Sequence, residues 1–295
     1  MKRCSLALAL IVLACGVFAQ NMCERFAEYG ELIVTQLPSA PFPHPQRFAG
    51  HTYGGRTYPA EIHYNDSSVA IFIPKGFQQT GSTDFIVHFH GWWNNIETTL
   101  SRYRLPQQLV ESGKNAILVV PEGPRNAPDS FGGKLEDAGG FKKFIDDVVD
   151  ILVRQLKIKT RKVGTIILSG HSGAYRVISF ILMRGGMPEK IKEVYLFDAL
   201  YGQTEKYVYW LDHYQGKMIT VYADSDGTKE ETEGLMADLD GWQIPYLLKD
   251  EVNISLDDLR RHRLVFIHTD LDHDTVMHGR SQFGQYLRAS SLMDR

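Results

Sequence analysis

The chain has 295 residues, of which 43% are hydrophobic and 23% are charged, and its formal net charge is −3. These values are ordinary for a globular protein, and the near balance of charge gives no electrostatic basis for binding nucleic acid or an acidic membrane surface. A length in this range fits one large α/β domain or two small ones.

The N-terminal stretch differs from the rest of the sequence. A short basic start precedes the almost wholly apolar segment Leu6–Val17, and Val17-Phe18-Ala19 ends in the small-residue pattern of a signal-peptidase site, which is typical of a secretory signal. The segment is too short to span a membrane comfortably. We therefore predict a signal peptide over 1–19 and an exported protein, secreted or periplasmic. As an alternative, the sequence before Cys15 resembles a bacterial lipobox, which would leave a lipidated Cys15 and a membrane-anchored lipoprotein.

The mature chain begins with a predicted lead-in over 20–50, which includes the proline-rich and extended Pro38–Pro45. A single domain is predicted over 51–295. Its first elements are the strands Tyr58–Tyr64 and Val69–Ile73, which are separated by a turn cluster and predict an antiparallel hairpin.

Short apolar strands then alternate with helical segments. The predicted strands are Phe85–His90, Ala116–Val120, Thr165–Ser169, Glu193–Phe197, Met218–Tyr222 and Leu264–His268. The predicted helices are Thr98–Glu111, Phe141–Leu156, Ala174–Arg184, Lys206–Tyr214, Glu231–Leu239 and Ser281–Ala289. This alternation predicts an α/β fold with a mostly parallel central sheet flanked by helices, in which functional groups gather at the carboxyl ends of the strands.

One of these strand ends reads TIILSGHSGAYR, from Thr165 to Arg176. The nucleophile elbow of serine hydrolases is written G-x-S-x-G and lies between a strand and a helix. Here alanine replaces the last glycine, and because the turn needs only small residues, Ala174 should be tolerated. We therefore predict that Ser172 is a nucleophile. The alternative is an ordinary turn of a β-α unit.

A serine nucleophile needs a base and an acid that orients the base. His273 follows the last predicted strand in an acidic loop, and His278 is the alternative base. Asp198 is the favoured acid, because it ends an apolar strand where burial would demand a partner. Asp224 and Asp226 are alternative acids, although their loop composition, DSDGT, predicts a solvated turn.

An oxyanion hole requires two backbone N–H groups directed at the developing negative charge. Gly173, the residue after the predicted nucleophile, should supply one of them. Trp92 should supply the other from the segment that follows the first parallel strand, with Gly91 allowing the close approach.

In chain order, the sequence presents an oxyanion loop, a serine elbow, an acid and a histidine, and it resembles the α/β-hydrolase superfamily from about Tyr58 to the last helix. It is also similar to a secreted serine hydrolase-like group with HFHG, GHSG-Y-R and FD-x-LYG segments. In that group the histidine comes a few residues past the last strand, which favours His273. Most of the superfamily carries the acid at the position of Asp224, and some lipases carry it at that of Asp198.

The resemblance implies an α/β-hydrolase fold and a serine hydrolase that cleaves a carboxylic ester through an acyl-enzyme. Only a short stretch separates Asp198 from Lys217, so no large lid domain is expected. Two alternatives remain open: a serine peptidase or amidase with the same triad, and a non-catalytic binding protein with this fold.

Metal and cofactor chemistry find little support in the sequence. His88 and His90 form an H-x-H pair, but no H-E-x-x-H, G-x-G-x-x-G or P-loop pattern is present. We expect no metal and no cofactor, and a small-molecule or peptide substrate.

Overall fold

A computed structural model describes residues 20–224 and 227–295 of the chain. The predicted signal peptide, the lipobox Cys15 and the alternative acid Asp226 lie outside these residues. Within the described ranges, the strands are β1 Gly30–Gln36, β2 His51–Tyr53, β3 Arg56–Tyr58, β4 Ser68–Pro74, β5 Thr83–Phe89, β6 Ile117–Pro121, β7 Val163–His171, β8 Ile191–Phe197, β9 Lys217–Tyr222, β10 Leu247–Asp250 and β11 Leu264–His268. The α-helices are α1 over 20–26, α2 Ala60–His63, α3 Ile96–Arg102, α4 Leu105–Ser112, α5 Gly140–Arg154, α6 Tyr175–Arg184, α7 Thr204–Tyr214, α8 Thr228–Gly241, α9 Leu256–Arg261 and α10 Gln282–Arg288.

In the described part of the chain, the central sheet has nine strands in the order β1-β4-β6-β5-β7-β8-β9-β11-β10. From β6 to β10 all neighbours are parallel, whereas β4 runs antiparallel to both β1 and β6. This is the mostly parallel sheet that the alternation of strands and helices predicts.

Two hydrophobic cores lie on opposite faces of this sheet. Successive side chains of a strand point to opposite faces, so Ile166 and Leu168 of β7 enter one core and Ile167 enters the other. The first core packs α5, α6, α7 and α8 against the sheet. The second packs α1, α3, α4, α9 and α10. Burial on both faces explains why the central strands are continuously apolar in sequence.

Three predicted elements differ from the structure. The hairpin lies earlier than predicted, at β2–β3, because residues predicted as its first strand form α2 and β4 pairs instead with β1. The helix predicted over Thr98–Glu111 is split into α3 and α4 at Arg104, whose φ is +52°, next to the helix-interrupting Pro106. The lead-in over 20–50 contains α1 and the edge strand β1, so this stretch contributes to the sheet.

The stretch between β8 and β9 contains only α7 and short turns. No large lid domain is inserted there, as predicted. None of the helices in the described ranges combines the length and the apolar character needed to cross a membrane.

Candidate active site

Ser172 lies on a sharp turn between β7 and α6. Its φ is +56°, a conformation that residues with a side chain rarely adopt and that the surroundings must hold in place. A Cβ atom on Gly170 would lie 2.7 Å from the Ala174 methyl carbon, so position 170 must be glycine. The methyl group of Ala174 itself fits. The turn therefore has the shape of a nucleophile elbow despite the departure from G-x-S-x-G.

The carboxyl ends of β8 and β11 place Asp198 and His273 together. Asp198 directly follows β8 and is fully buried, and its Oδ2 lies 2.6 Å from His273 Nδ1. An ionised carboxylate can only accept, so Nδ1 carries the proton and the neutral ring keeps its lone pair on Nε2. This is the tautomer that a general base requires.

The carboxylate of Asp198 is held ionised by its partners. Burial acts to raise its pKa, but hydrogen bonds from His273 and from the Thr228 hydroxyl outweigh burial, and the pKa lies below its ordinary value. The Thr228 hydroxyl donates to Oδ1, and the backbone N–H of Ala223 approaches the same oxygen at 3.3 Å. Asp198 itself has a φ of +43°, so this carboxylate position is also set by an uncommon backbone conformation.

The described alternative acid and base lie in different environments. The Asp224 side chain is 65% exposed and lies 2.7 Å from Lys229 Nζ and 3.2 Å from His268 Nε2. His278 stands beside the Tyr103 ring, and its buried Nδ1 has no hydrogen-bond partner among the described residues. The structure thus brings Asp198 together with His273 and directs Asp224 towards other side chains.

The loop after β5 runs directly against the serine elbow. A Cβ atom on Gly91 would lie 2.5 Å from Ser172 Cβ and 3.1 Å from its Oγ, so only glycine allows this approach. A Cβ atom on Gly173 would lie 2.5 Å from Cδ1 of the Trp92 indole and 2.7 Å from Ser130 Oγ. The Trp92 indole N–H in turn donates to Ser130 Oγ at 2.8 Å. The predicted oxyanion residues are therefore packed around Ser172.

A buried pair of side chains, His90 and Glu122, anchors this loop. His90 Nε2 lies 3.0 Å from Glu122 Oε1, and both side chains are almost completely buried. The other Glu122 oxygen accepts from the Ile96 backbone N–H at the start of α3, while His90 Nδ1 lies 2.8 Å from the Gly91 carbonyl oxygen. This pair connects the ends of β5 and β6 to the loop that carries Gly91.

Aromatic side chains border the elbow. Tyr53 of the β2–β3 hairpin packs edge-on against Trp92 at 5.0 Å between ring centroids, and Trp93 and Tyr53 are 54% and 48% exposed. On the side of the histidine, Tyr201 lies 6.4 Å from the His273 ring and 5.9 Å from the Tyr175 ring. Trp92 and Tyr201 thus place aromatic rings beside the serine turn and beside His273.

Sequence reasoning missed several groups that hold the site. Glu122 had a signal, because it follows directly after β6. Thr228 and His171 had none that could be read locally, since one begins a helix and the other fills the unspecified position of G-x-S-x-G. Within the described residues, no group of three or more His, Cys, Asp or Glu side chains is arranged to hold a metal ion.

Comparison with solved structures identifies the fold. A mutant feruloyl esterase module from Clostridium thermocellum, complexed with sinapinate, has a TM-score of 0.57 at 10% identity and covers 90% of each chain. A ferulic acid esterase has a TM-score of 0.56 at 12% identity, covering 88% of this chain and 97% of that one. FphF, a fluorophosphonate-binding serine hydrolase of Staphylococcus aureus, has a TM-score of 0.53 at 12% identity, covering 89% and 100%.

These likenesses show that the chain has the α/β-hydrolase fold, which confirms the predicted fold class. No protein-family model and no curated protein matches the sequence.

Proposed function

We propose that this protein is a serine hydrolase that cleaves carboxylic esters. The observation that carries the proposal is the 2.6 Å contact between His273 Nδ1 and the fully buried Asp198, at strand ends beside the strained turn that presents Ser172. A buried carboxylate, an oriented imidazole and an elbow serine together form the arrangement that activates a hydroxyl for attack on a carbonyl.

In the proposed mechanism, Ser172 Oγ attacks the carbonyl carbon of the ester while His273 Nε2 takes its proton. The backbone N–H groups of Gly173 and Trp92 stabilise the oxyanion. The C–O bond to the alcohol then breaks, and His273 returns the proton to the leaving oxygen. Water attacks the acyl-enzyme by the same route, which releases a carboxylic acid and restores Ser172. Asp198 keeps the imidazole in place and stabilises its charged form.

Labelling with a fluorophosphonate tests the nucleophile. The mature protein should be labelled at one site, and Ser172→Ala should abolish labelling and ester hydrolysis together. Ser101→Ala is the matched control, because the Ser101 hydroxyl donates only to its own helix, at the Glu97 carbonyl. If the wild-type protein is not labelled and behaves like Ser172→Ala, the alternative of a non-catalytic binding protein with this fold would be favoured.

We propose further that the acyl group of the substrate carries an aromatic ring. The half-exposed ring of Tyr53, which packs against Trp92 beside the elbow, offers a flat surface for stacking. The solved feruloyl esterase module with bound sinapinate supports this choice of acyl group.

Methyl ferulate and methyl butyrate, followed by acid release, separate this specificity from the basic chemistry. Tyr53→Ala should raise KM for methyl ferulate about tenfold, which corresponds to the loss of one ring contact, and leave methyl butyrate unchanged. Equal effects on both esters would contradict an aromatic subsite. Hydrolysis of peptide amides at rates comparable to esters would favour the peptidase or amidase alternative.

Export is part of the proposal and rests on the N-terminal sequence. N-terminal sequencing of the mature protein should begin at Gln20. A chain that begins at a lipid-modified Cys15 would instead identify a lipoprotein.

A further inference from the structure

His171 is the residue before the proposed nucleophile Ser172 in the chain, and it contacts the proposed base His273. Its ring is buried at the end of β7 and stands 4.5 Å from the His273 ring, centroid to centroid. Its Nε2 lies 2.7 Å from the backbone carbonyl oxygen of His273, and its Nδ1 lies 3.2 Å from the Tyr103 hydroxyl.

These two contacts fix where the proton of His171 resides. A carbonyl oxygen can only accept, so Nε2 carries the proton and donates a hydrogen bond to the backbone carbonyl oxygen of His273. Nδ1 therefore holds the lone pair and accepts from the Tyr103 hydroxyl. The Tyr103 oxygen can in turn accept from Asn94 Nδ2, which lies 3.3 Å away. A directed chain of hydrogen bonds thus runs from Asn94, on the loop that carries Gly91, to the backbone of His273.

His171 also stays uncharged at neutral pH. Burial and the neighbouring His273 lower its pKa to about 3. A charged ring at this distance would repel the imidazolium that forms on His273 during the reaction. A neutral ring instead offers a contact surface and one directed N–H group.

We infer that His171 is a positioning residue for the base: its Nε2–H holds the backbone of His273, and Tyr103 selects the tautomer that can do so. The inference rests on the proposed function. His273 is then held at two points, through its side chain by Asp198 and through its main chain by His171. Because His171 is adjacent to Ser172, its hydrogen bond connects the backbone of the base to β7, the strand that presents the nucleophile.

Three variants separate this role from simple packing. His171→Leu keeps an apolar volume but removes the donor, His171→Gln supplies an amide N–H that can reach the His273 carbonyl, and Tyr103→Phe removes only the hydroxyl. His88→Leu is the matched control, because His88 is a fully buried histidine whose hydrogen bond goes to Ser169.

The readout is kcat and KM for an ester substrate, per fluorophosphonate-titrated site. We expect His171→Leu to lower kcat about 10- to 100-fold with KM changed less than about twofold, since a displaced catalytic group loses rate and not binding. His171→Gln should recover most of this loss, and Tyr103→Phe should lower kcat by about fivefold, the value of one hydrogen bond. His88→Leu should lower stability and leave kcat per titrated site unchanged.

A second measurement does not depend on turnover. The proton on His273 Nδ1, held by Asp198, should give a downfield NMR signal in wild type that broadens or disappears in His171→Leu and returns in His171→Gln. An unchanged signal and kcat in His171→Leu, or a His171→Gln variant no better than His171→Leu, would overturn the inference. If the proposed function itself is wrong, the result will be different: the wild-type protein will not be labelled by fluorophosphonate and will behave like Ser172→Ala.

Discussion

At the scale of single residues, the candidate site depends on which aspartate is buried. Asp198 and Asp224 end neighbouring strands and are chemically identical. The first is fully buried with donors from His273 and Thr228, while the second is mostly exposed beside Lys229. A buried carboxylate must be compensated by its partners, whereas an exposed carboxylate interacts with solvent.

We expect Asp198→Asn to lower kcat by about 10³- to 10⁴-fold, because an amide can donate to Nδ1 and so favours the wrong tautomer of His273. Asp224→Asn is the control and should retain activity close to wild type. Ester hydrolysis per folded molecule is the measurement. A large loss in Asp224→Asn with an active Asp198→Asn would reverse the assignment.

The lowered pKa of His171 predicts that the free energy of unfolding depends on pH. An unfolded histidine takes up a proton below about pH 6.5, whereas folded His171 does so only at about pH 3. Between these values the unfolded state binds more protons, so the free energy of unfolding decreases as the pH falls.

Urea denaturation of wild type and His171→Gln at about pH 7 and about pH 5 measures this effect. The variant should lose about 2 kcal/mol less than wild type over this interval, because its side chain does not titrate. His88 also has a lowered pKa, chiefly because it is buried, and it is present in both proteins. Parallel losses in both proteins would show that His171 does not contribute.

The sequence was sufficient to propose the reacting side chains but not their support. Ser172, His273 and Asp198 stand at strand ends, and the rule that links strand ends to function needs only the positions of the strands along the chain. His171 fills a position where the elbow pattern accepts any residue. Its role depends on the fold, which places the loop bearing His273, 102 residues away, beside it.

At the scale of elements, the start of α8 supports the proposed acid. Thr228 is the first residue of α8 and is fully buried, and its hydroxyl donates to Asp198 Oδ1. The helix thereby fixes the carboxylate through the oxygen that His273 does not contact.

Thr228→Val should lower kcat by about fivefold, because it removes one hydrogen bond to a buried carboxylate at nearly constant volume. Thr228→Ser retains the hydroxyl and should stay close to wild type. The measurement is the steady-state rate with KM determined separately. A Thr228→Ser variant as impaired as Thr228→Val would contradict this explanation, because it retains the hydroxyl.

Burial and length explain which elements could be predicted from the sequence and which could not. Central strands such as β7 and β8 are buried on both faces and read as apolar runs. The edge strands β1 and β10 contain mostly partly buried and exposed residues, and their apolar runs are short, only Leu32–Val34 in β1 and Leu247–Leu248 in β10. The six residues of α9 are too few to establish a helical period.

At the scale of the whole molecule, the N-terminal stretch is part of the packed structure. Phe26 of α1 is 1% exposed and belongs to the core on the face of α4 and α10. Phe48, from the same predicted lead-in, is 67% exposed.

We therefore expect Phe26→Ala to lower the free energy of unfolding by about 3 to 5 kcal/mol, because it leaves a cavity in a closed core. Phe48→Ala should change it by less than about 0.5 kcal/mol. Chemical denaturation of the two variants measures the difference. Equal stabilities would contradict the packing of Phe26 in this core.

The order of the strands along the chain has a consequence for the newly made protein. During synthesis, the turn with Ser172 is complete well before the segment that supplies His273, since 102 residues separate His171 from His273. On the proposed function, Ser172 would lack its base on the growing chain until the segment after β11 is added. A truncated product that ends before His273 would carry the elbow without its base and should not hydrolyse esters.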